Sequence, residues 1–79
     1  MKFIQAVSKR VKELLKAKGF TQYQLFQASG VPQSTISTIL KAEITTVKMS
    51  TVLDICIGFG IELTEFFDRD YFSIALLED

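Results

Sequence analysis

Residues 21–40, TQYQLFQASGVPQSTISTIL, decide the fold, because they predict two short helices joined by a turn. Thr21 and Gln24 have the spacing of a capping box, in which each side chain accepts a hydrogen bond from the backbone amide of the other residue. The helix begun there ends at Gly30, because glycine adopts a left-handed conformation at little cost. Pro32 suits the first turn of the next helix, where no amide hydrogen is needed. This arrangement is typical of a helix-turn-helix, although many helical hairpins share the spacing.

Helical periodicity continues on both sides of this unit. A first helix that ends at Gly19 has apolar residues at three- and four-residue steps, namely Ile4, Val7, Val11 and Leu14. A fourth helix is predicted after Ser50, weakened at its end by Gly58 and Gly60. Its expected inward residues are Val52, Leu53, Ile55, Cys56 and Phe59.

The last part of the chain predicts a short fifth helix over 63–67, capped by Thr64, and then an apolar tail after Asp70. We therefore expect an all-α fold, a compact domain of five or six helices spanning 1–79. Residues 1–67 would form a five-helix core. Residues 68–79 would form a C-terminal extension, helical or part of a dimer interface.

Composition argues against several classes of protein. No apolar run approaches the roughly 18 residues that a membrane span needs, so a cytoplasmic protein without membrane contact is expected. The lone Cys56 cannot form an internal disulfide, which fits a reducing compartment. The sequence has no histidine, which removes histidine acid–base catalysis, Cys–His pairs and the usual zinc sites. We expect no enzyme, no cofactor and no bound metal.

The formal net charge of zero conceals a strong asymmetry. Residues 1–48 contain eight basic and two acidic side chains, whereas residues 49–79 contain one basic and seven acidic side chains. A basic half of this kind is a hint of nucleic-acid binding, and ordinary solvated surface is the alternative explanation.

Two segments resemble the Cro/phage-repressor-type helix-turn-helix family, also described as lambda-repressor-like. They are RVKELLKAKGFTQYQL at 10–25 and SGVPQSTISTIL at 29–40, and the run ICIGFGIELTEFF at 55–67 is similar to the family's fourth and fifth helices. The resemblance implies a five-helix domain that pairs as a homodimer, binds double-stranded operator DNA and regulates transcription. Its recognition helix would be about residues 32–40, lying in the major groove.

The resemblance also implies the DNA-contacting residues. Gln22 is similar to the family's glutamine that bonds a phosphate at the start of the first motif helix. The outward positions of the recognition helix would face the bases, and they are Gln33, Ser34, Ser37 and Thr38. A glutamine amide can bond both atoms of an adenine edge, and serine or threonine can donate or accept. Further contacts, chiefly to phosphates, are expected from Lys9, Arg10, Thr21 and Lys41.

Some features depart from the family pattern and keep other functions open. Residues 41–43, Lys-Ala-Glu, replace the usual Asn-Gly-Lys, and the recognition helix has no arginine. Repression is the expected role, and the antitoxin of a toxin–antitoxin pair would fit the same fold with a toxin as partner. A protein-interaction module with weak or no DNA binding is a further alternative. Ile57 and the aromatic residues of the tail are candidates for a dimer surface.

Overall fold

The computed structural model describes residues 1–78 and contains five α-helices and one short 3₁₀ helix. The α-helices are α1 (Phe3–Lys18), α2 (Gln22–Ser29), α3 (Gln33–Leu40), α4 (Met49–Phe59) and α5 (Leu63–Phe66), and the 3₁₀ helix is Asp70–Phe72. No strand occurs among the described residues, so the predicted all-α fold is confirmed. No helix within 1–78 is long and apolar enough to cross a membrane. Asp79, the last residue of the predicted extension, lies outside the described residues.

The packing of α1 follows its apolar stripe. Ile4, Val7, Val11 and Leu14 are all buried, as predicted, and belong to the central core. The helix ends at Gly19, whose φ of 68° is left-handed. The largest fully buried side chains from the other helices complete the core, and they are Leu25, Ile36, Ile39, Val52, Ile55, Cys56 and Phe66.

A close approach between α2 and α4 sets the position of the helix-turn-helix unit. A Cβ atom added at Gly58 would lie 2.8 Å from the Cβ of Ser29, so no larger residue fits there without movement. Gly58 was expected only to weaken the end of α4. The structure instead gives it a packing role, because the missing side chain lets the two backbones meet.

The inward face of α4 differs from the prediction at one position. Val52, Ile55, Cys56 and Phe59 are buried, whereas Leu53 is 44% exposed. Leu53 lies about 100° around the helix from Val52, because an α-helix has 3.6 residues per turn. That rotation carries it from the core onto the outer face of α4.

Two predicted helix starts also need correction. Pro32 precedes α3 as its N-cap residue, with ψ of 144°, and the helix begins at Gln33. Thr64 lies inside α5 and does not cap it, because the N-cap position belongs to Glu62.

The C-terminal segment folds back onto α1 instead of forming a further α-helix. The Phe72 ring packs against the rings of Phe3, Phe66 and Phe67, with centroids 6.3, 6.1 and 5.0 Å away. Beyond it, the backbone amide of Glu78 donates to the carbonyl oxygen of Met1 at 3.0 Å. Within residues 68–78 the predicted extension is therefore helical only over its 3₁₀ turn, and its aromatic residues Tyr71 and Phe72 are half-buried.

Candidate nucleic-acid interface

Local hydrogen bonds fix the beginning of α2. The amide of Gln24 donates to the Thr21 hydroxyl at 3.1 Å, and the amide of Thr21 donates to the Gln24 side chain at 2.9 Å. This confirms the predicted capping box. The Thr21 hydroxyl accepts one hydrogen bond in this cap, and its proton remains available to an outside acceptor such as a phosphate oxygen.

The turn between the helices is equally well defined. Gly30 has φ of 75°, and its amide donates to the carbonyl oxygen of Phe26 at 2.8 Å. The Ser29 hydroxyl donates to the carbonyl oxygen of Leu25 at 2.6 Å and accepts from the amide of Val31 at 3.1 Å. Because the turn is bonded at both ends, the direction of α3 is set by α2.

The two sides of α3 are sharply different. Ile36 and Ile39 are buried in the core, while Gln33 and Ser34 at the opposite side are exposed. The other predicted base-contacting residues, Ser37 and Thr38, are half-buried. The Thr38 hydroxyl donates to the carbonyl oxygen of Thr35 at 2.9 Å, which leaves it free to accept rather than donate.

Two exposed glutamine side chains lie at the starts of α2 and α3. Gln22 is the first residue of α2 and Gln33 the first of α3, and both are exposed. Within residues 1–78 neither side chain makes a hydrogen bond, so each amide keeps its donors and acceptor for a ligand. The N-cap residue Pro32 gives α3 no side-chain cap, so the partial positive charge of the helix start is not offset there.

The turn after α3 has a left-handed residue of the kind that is usually glycine, and here that residue is Ala42. Ala42 has φ of 53°, a left-handed conformation that L-residues rarely adopt. The turn leaves Lys41 exposed at the end of α3. It also brings residues 42–46 beside Lys2 and Gln5 of the chain start, where together they line a groove of about 430 Å³. Lys2 is thus a cation near the motif that the sequence pattern missed, because only the fold places it there.

Arg10 corrects a prediction, because its guanidinium is buried and not available to a phosphate. The residue is 2% exposed, and its Nε donates to the carbonyl oxygen of Phe66 at 2.7 Å. Its Nη2 donates to the carbonyl oxygen of Glu65 at 2.9 Å, and its Nη1 lies 3.7 Å from Glu13. Arg10 therefore ties α1 to the end of α5.

Lys9 is exposed but also turns toward the C-terminal segment. Its ammonium lies 4.7 Å from the centroid of the Tyr71 ring, a cation–π contact. By contrast, the hydroxyl of the preceding Ser8 donates to the carbonyl oxygen of Leu40 at 2.8 Å and holds the end of α3. Lys41 thus lies exposed at the end of α3 and Lys9 lies exposed on α1, whereas Arg10 is buried.

The motif itself is electrically neutral. No residue between 19 and 40 is charged, so attraction to phosphates depends on flanking cations. The exposed lysines nearest to the motif in sequence are Lys16, Lys18, Lys41 and Lys48. The motif therefore presents uncharged side chains, and the cations of this region lie on either side of it.

Comparison with known proteins identifies the same region. A family model described as the Cro/C1-type HTH DNA-binding domain matches residues 10–70, which include α2, α3 and most of the rest of the chain. Searches of curated proteins and of solved structures found no match.

Proposed function

Since the chain belongs to the Cro/C1-type helix-turn-helix DNA-binding family, we propose that it represses transcription by binding one specific double-stranded operator. The recognition helix is α3, whose exposed side enters the major groove. The observation that carries this proposal is the pair of exposed amides of Gln22 and Gln33, unbonded within 1–78 and standing at the two helix starts. Gln33 reads a base edge and Gln22 holds a phosphate.

Selection of bound duplexes from a random pool, followed by affinity measurements on the winning sequence, tests this division. Gln33→Ala should abolish preference at one base pair, a loss of about 1–3 kcal/mol in discrimination, and should leave non-specific binding intact. Gln22→Ala should weaken binding to every duplex alike. Gln27→Ala is the matched control, because Gln27 is an exposed glutamine within α2. Full sequence preference in the Gln33→Ala protein would contradict the assignment.

The same family membership leads us to propose a homodimer on a two-fold symmetric site, with recognition helices about 34 Å apart. The outer face of α4 supports this. Met49, Leu53 and Ile57 recur every four residues and are 53%, 44% and 64% exposed, which gives an apolar row on one side of the helix. Sedimentation should show a dimer that Ile57→Ser dissociates, whereas a monomer at every concentration would contradict it.

We infer a binding function rather than an enzymatic one, because the sequence offers no histidine and the exposed polar groups of the motif are amides and hydroxyls. We also propose a cytoplasmic location, which the single cysteine suits. The second candidate is protein interaction without DNA binding, favoured by the absence of charge across residues 19–40. Duplex affinity at two salt concentrations separates the two. DNA binding through flanking lysines must weaken as salt rises, and the absence of any duplex binding at low salt would favour the second candidate.

A further inference from the structure

The C-terminal segment forms an apolar hollow on the surface. It encloses about 540 Å³ and is lined by Phe3, Phe67, Phe72, Ile74 and Leu77, none of them polar. Ile74 is 87% exposed, and Leu76 beside it is 56% exposed. An exposed apolar concavity with exposed apolar side chains at its edge is typical of a surface that binds another molecule.

The hollow is built from residues held in place. Phe67 and Phe72 pack edge to face with ring centroids 5.0 Å apart. At the other side, the terminal ammonium of Met1 donates to the carbonyl oxygen of Leu76 at 3.3 Å and lies 3.6 Å from the Glu78 carboxylate. A partner would meet a preformed surface and would not have to order the segment first.

Acidic side chains adjoin the hollow. Phe67 also lines a second depression, together with Glu62, Thr64, Glu65 and Asp68. The three carboxylates are exposed, and none takes part in an ion pair between residues 1 and 78. The basic residue that follows them, Arg69, lies 3.7 Å from Glu13 of α1, so its charge is directed away.

We propose that this hollow, together with the carboxylates beside its Phe67 side, docks a basic amphipathic helix of another protein, a function separate from DNA binding. The apolar side chains of such a helix would enter the hollow, and its lysines or arginines would face Glu62, Glu65 and Asp68. A two-fold pairing with its axis near Glu62, Glu65 and Asp68 would oppose like charges, which is unfavourable, and the experiment below separates a second copy from another protein. DNA and anionic lipid are repelled by the same carboxylates.

The probe is a synthetic 18-residue helix with leucines on one face and lysines on the other, titrated into the isotopically labelled full chain and followed by NMR. The matched control peptide has glutamate in place of each lysine. The lysine peptide should shift the amide signals of Phe67, Phe72, Ile74 and Leu77 and bind at least tenfold more tightly than the glutamate peptide. Equal affinities, absence of binding, or shifts confined to α4 would overturn the proposal.

Two kinds of variant sharpen the test. Ile74→Ser should weaken the lysine peptide at least fivefold, whereas the matched Ile57→Ser on α4 should leave its affinity unchanged. Glu65→Lys with Asp68→Lys should reverse the preference between the two peptides. If Ile74→Ser instead dissociates a dimer, a second copy covers the hollow and the proposal is wrong. Duplex affinity should be the same in the Ile74→Ser protein, so this test stands apart from the DNA-binding proposal.

Discussion

Replacing Arg10 with methionine removes the guanidinium but keeps an unbranched stem in the same space. The guanidinium donates to the carbonyl oxygens of Phe66 and Glu65 at 2.7 and 2.9 Å, and the bond to Phe66 is fully buried. A hydrogen bond to a charged group contributes about 1.5–3 kcal/mol, so the loss of two such bonds, one of them only partly buried, costs about 3–5 kcal/mol. We expect Arg10→Met to lower the free energy of unfolding by about 3–5 kcal/mol. That is a large part of the roughly 4–12 kcal/mol available to a chain of this length.

Urea unfolding followed by circular dichroism measures this loss. Arg10→Lys should lose about half as much, because one ammonium cannot reproduce the two-armed donor geometry of the guanidinium. Lys12→Met is the matched control, since Lys12 is an exposed base on the same helix, and its effect should stay within about 0.5 kcal/mol. If the free energy of unfolding of the Arg10→Met protein lies within about 1 kcal/mol of the parent's, the two bonds to the carbonyl oxygens do not hold α5 in place.

The same variants decide between a structural role and a phosphate contact. If Arg10 contacted a phosphate, Arg10→Met would flatten the log–log dependence of duplex affinity on salt by about 0.9, and Arg10→Lys, which keeps the charge, would leave it nearly unchanged. The buried geometry predicts no change of slope for either variant, provided that binding is measured at a temperature where the protein remains folded. A flatter slope for methionine alone would refute the structural assignment.

Three further predictions concern single side chains. Ala42→Gly should raise the free energy of unfolding by about 0.5–1 kcal/mol. The strain of an alanine in the left-handed conformation, about 1–2 kcal/mol, exceeds the entropic cost of a glycine. A lower melting temperature would contradict this prediction. Lys41→Ala should weaken binding to all duplexes and flatten the salt slope by about 0.9, and an unchanged slope would remove Lys41 from the phosphate contacts. Burial and a hydrogen bond to Glu13 raise the pKa of Tyr71 above 10.0, so the unfolded chain ionises first and stability falls as pH rises above about 10. In urea unfolding between pH 8 and 11, the free energy of unfolding of the Tyr71→Phe protein should therefore fall less steeply with pH than that of the parent. Cys56, whose pKa burial also raises, is present in both proteins and contributes equally, so parallel curves would contradict this prediction.

The helix-turn-helix could be predicted because its signals are local. The capping box at Thr21 and the left-handed turn at Gly30 depend on residues only a few positions apart, and both were found where the sequence indicated. The buried stripe of α1 was also predicted, because a period of 3.6 residues is visible without knowing what the helix packs against.

The burial of Arg10 contradicts the expectation from its charge, which favours solvent or a phosphate. Arg10 lies three residues after Val7 and four before Leu14, inside the apolar stripe of α1, and that placement was the available signal for burial. Its partners are the carbonyls of α5, more than fifty residues away, which no local pattern specifies. The close approach at Gly58 is likewise a property of two packed helices, and a glycine near a helix end has the same local appearance in either role.

The proposed homodimer makes the outer face of α4 important for DNA binding. A single copy offers two open amides and a few lysines, so its affinity for one half-site should be modest, and tight binding requires that two copies act together. Ile57→Ser changes none of these contacts, because Ile57 lies 64% exposed on α4. Its operator affinity should therefore fall at least tenfold, with binding that rises as the square of protein concentration, while affinity for a single half-site stays the same. Titrations on full and half operators measure both affinities. An equal loss of affinity on the two would place Ile57 at the DNA and would contradict its assignment to the dimer surface.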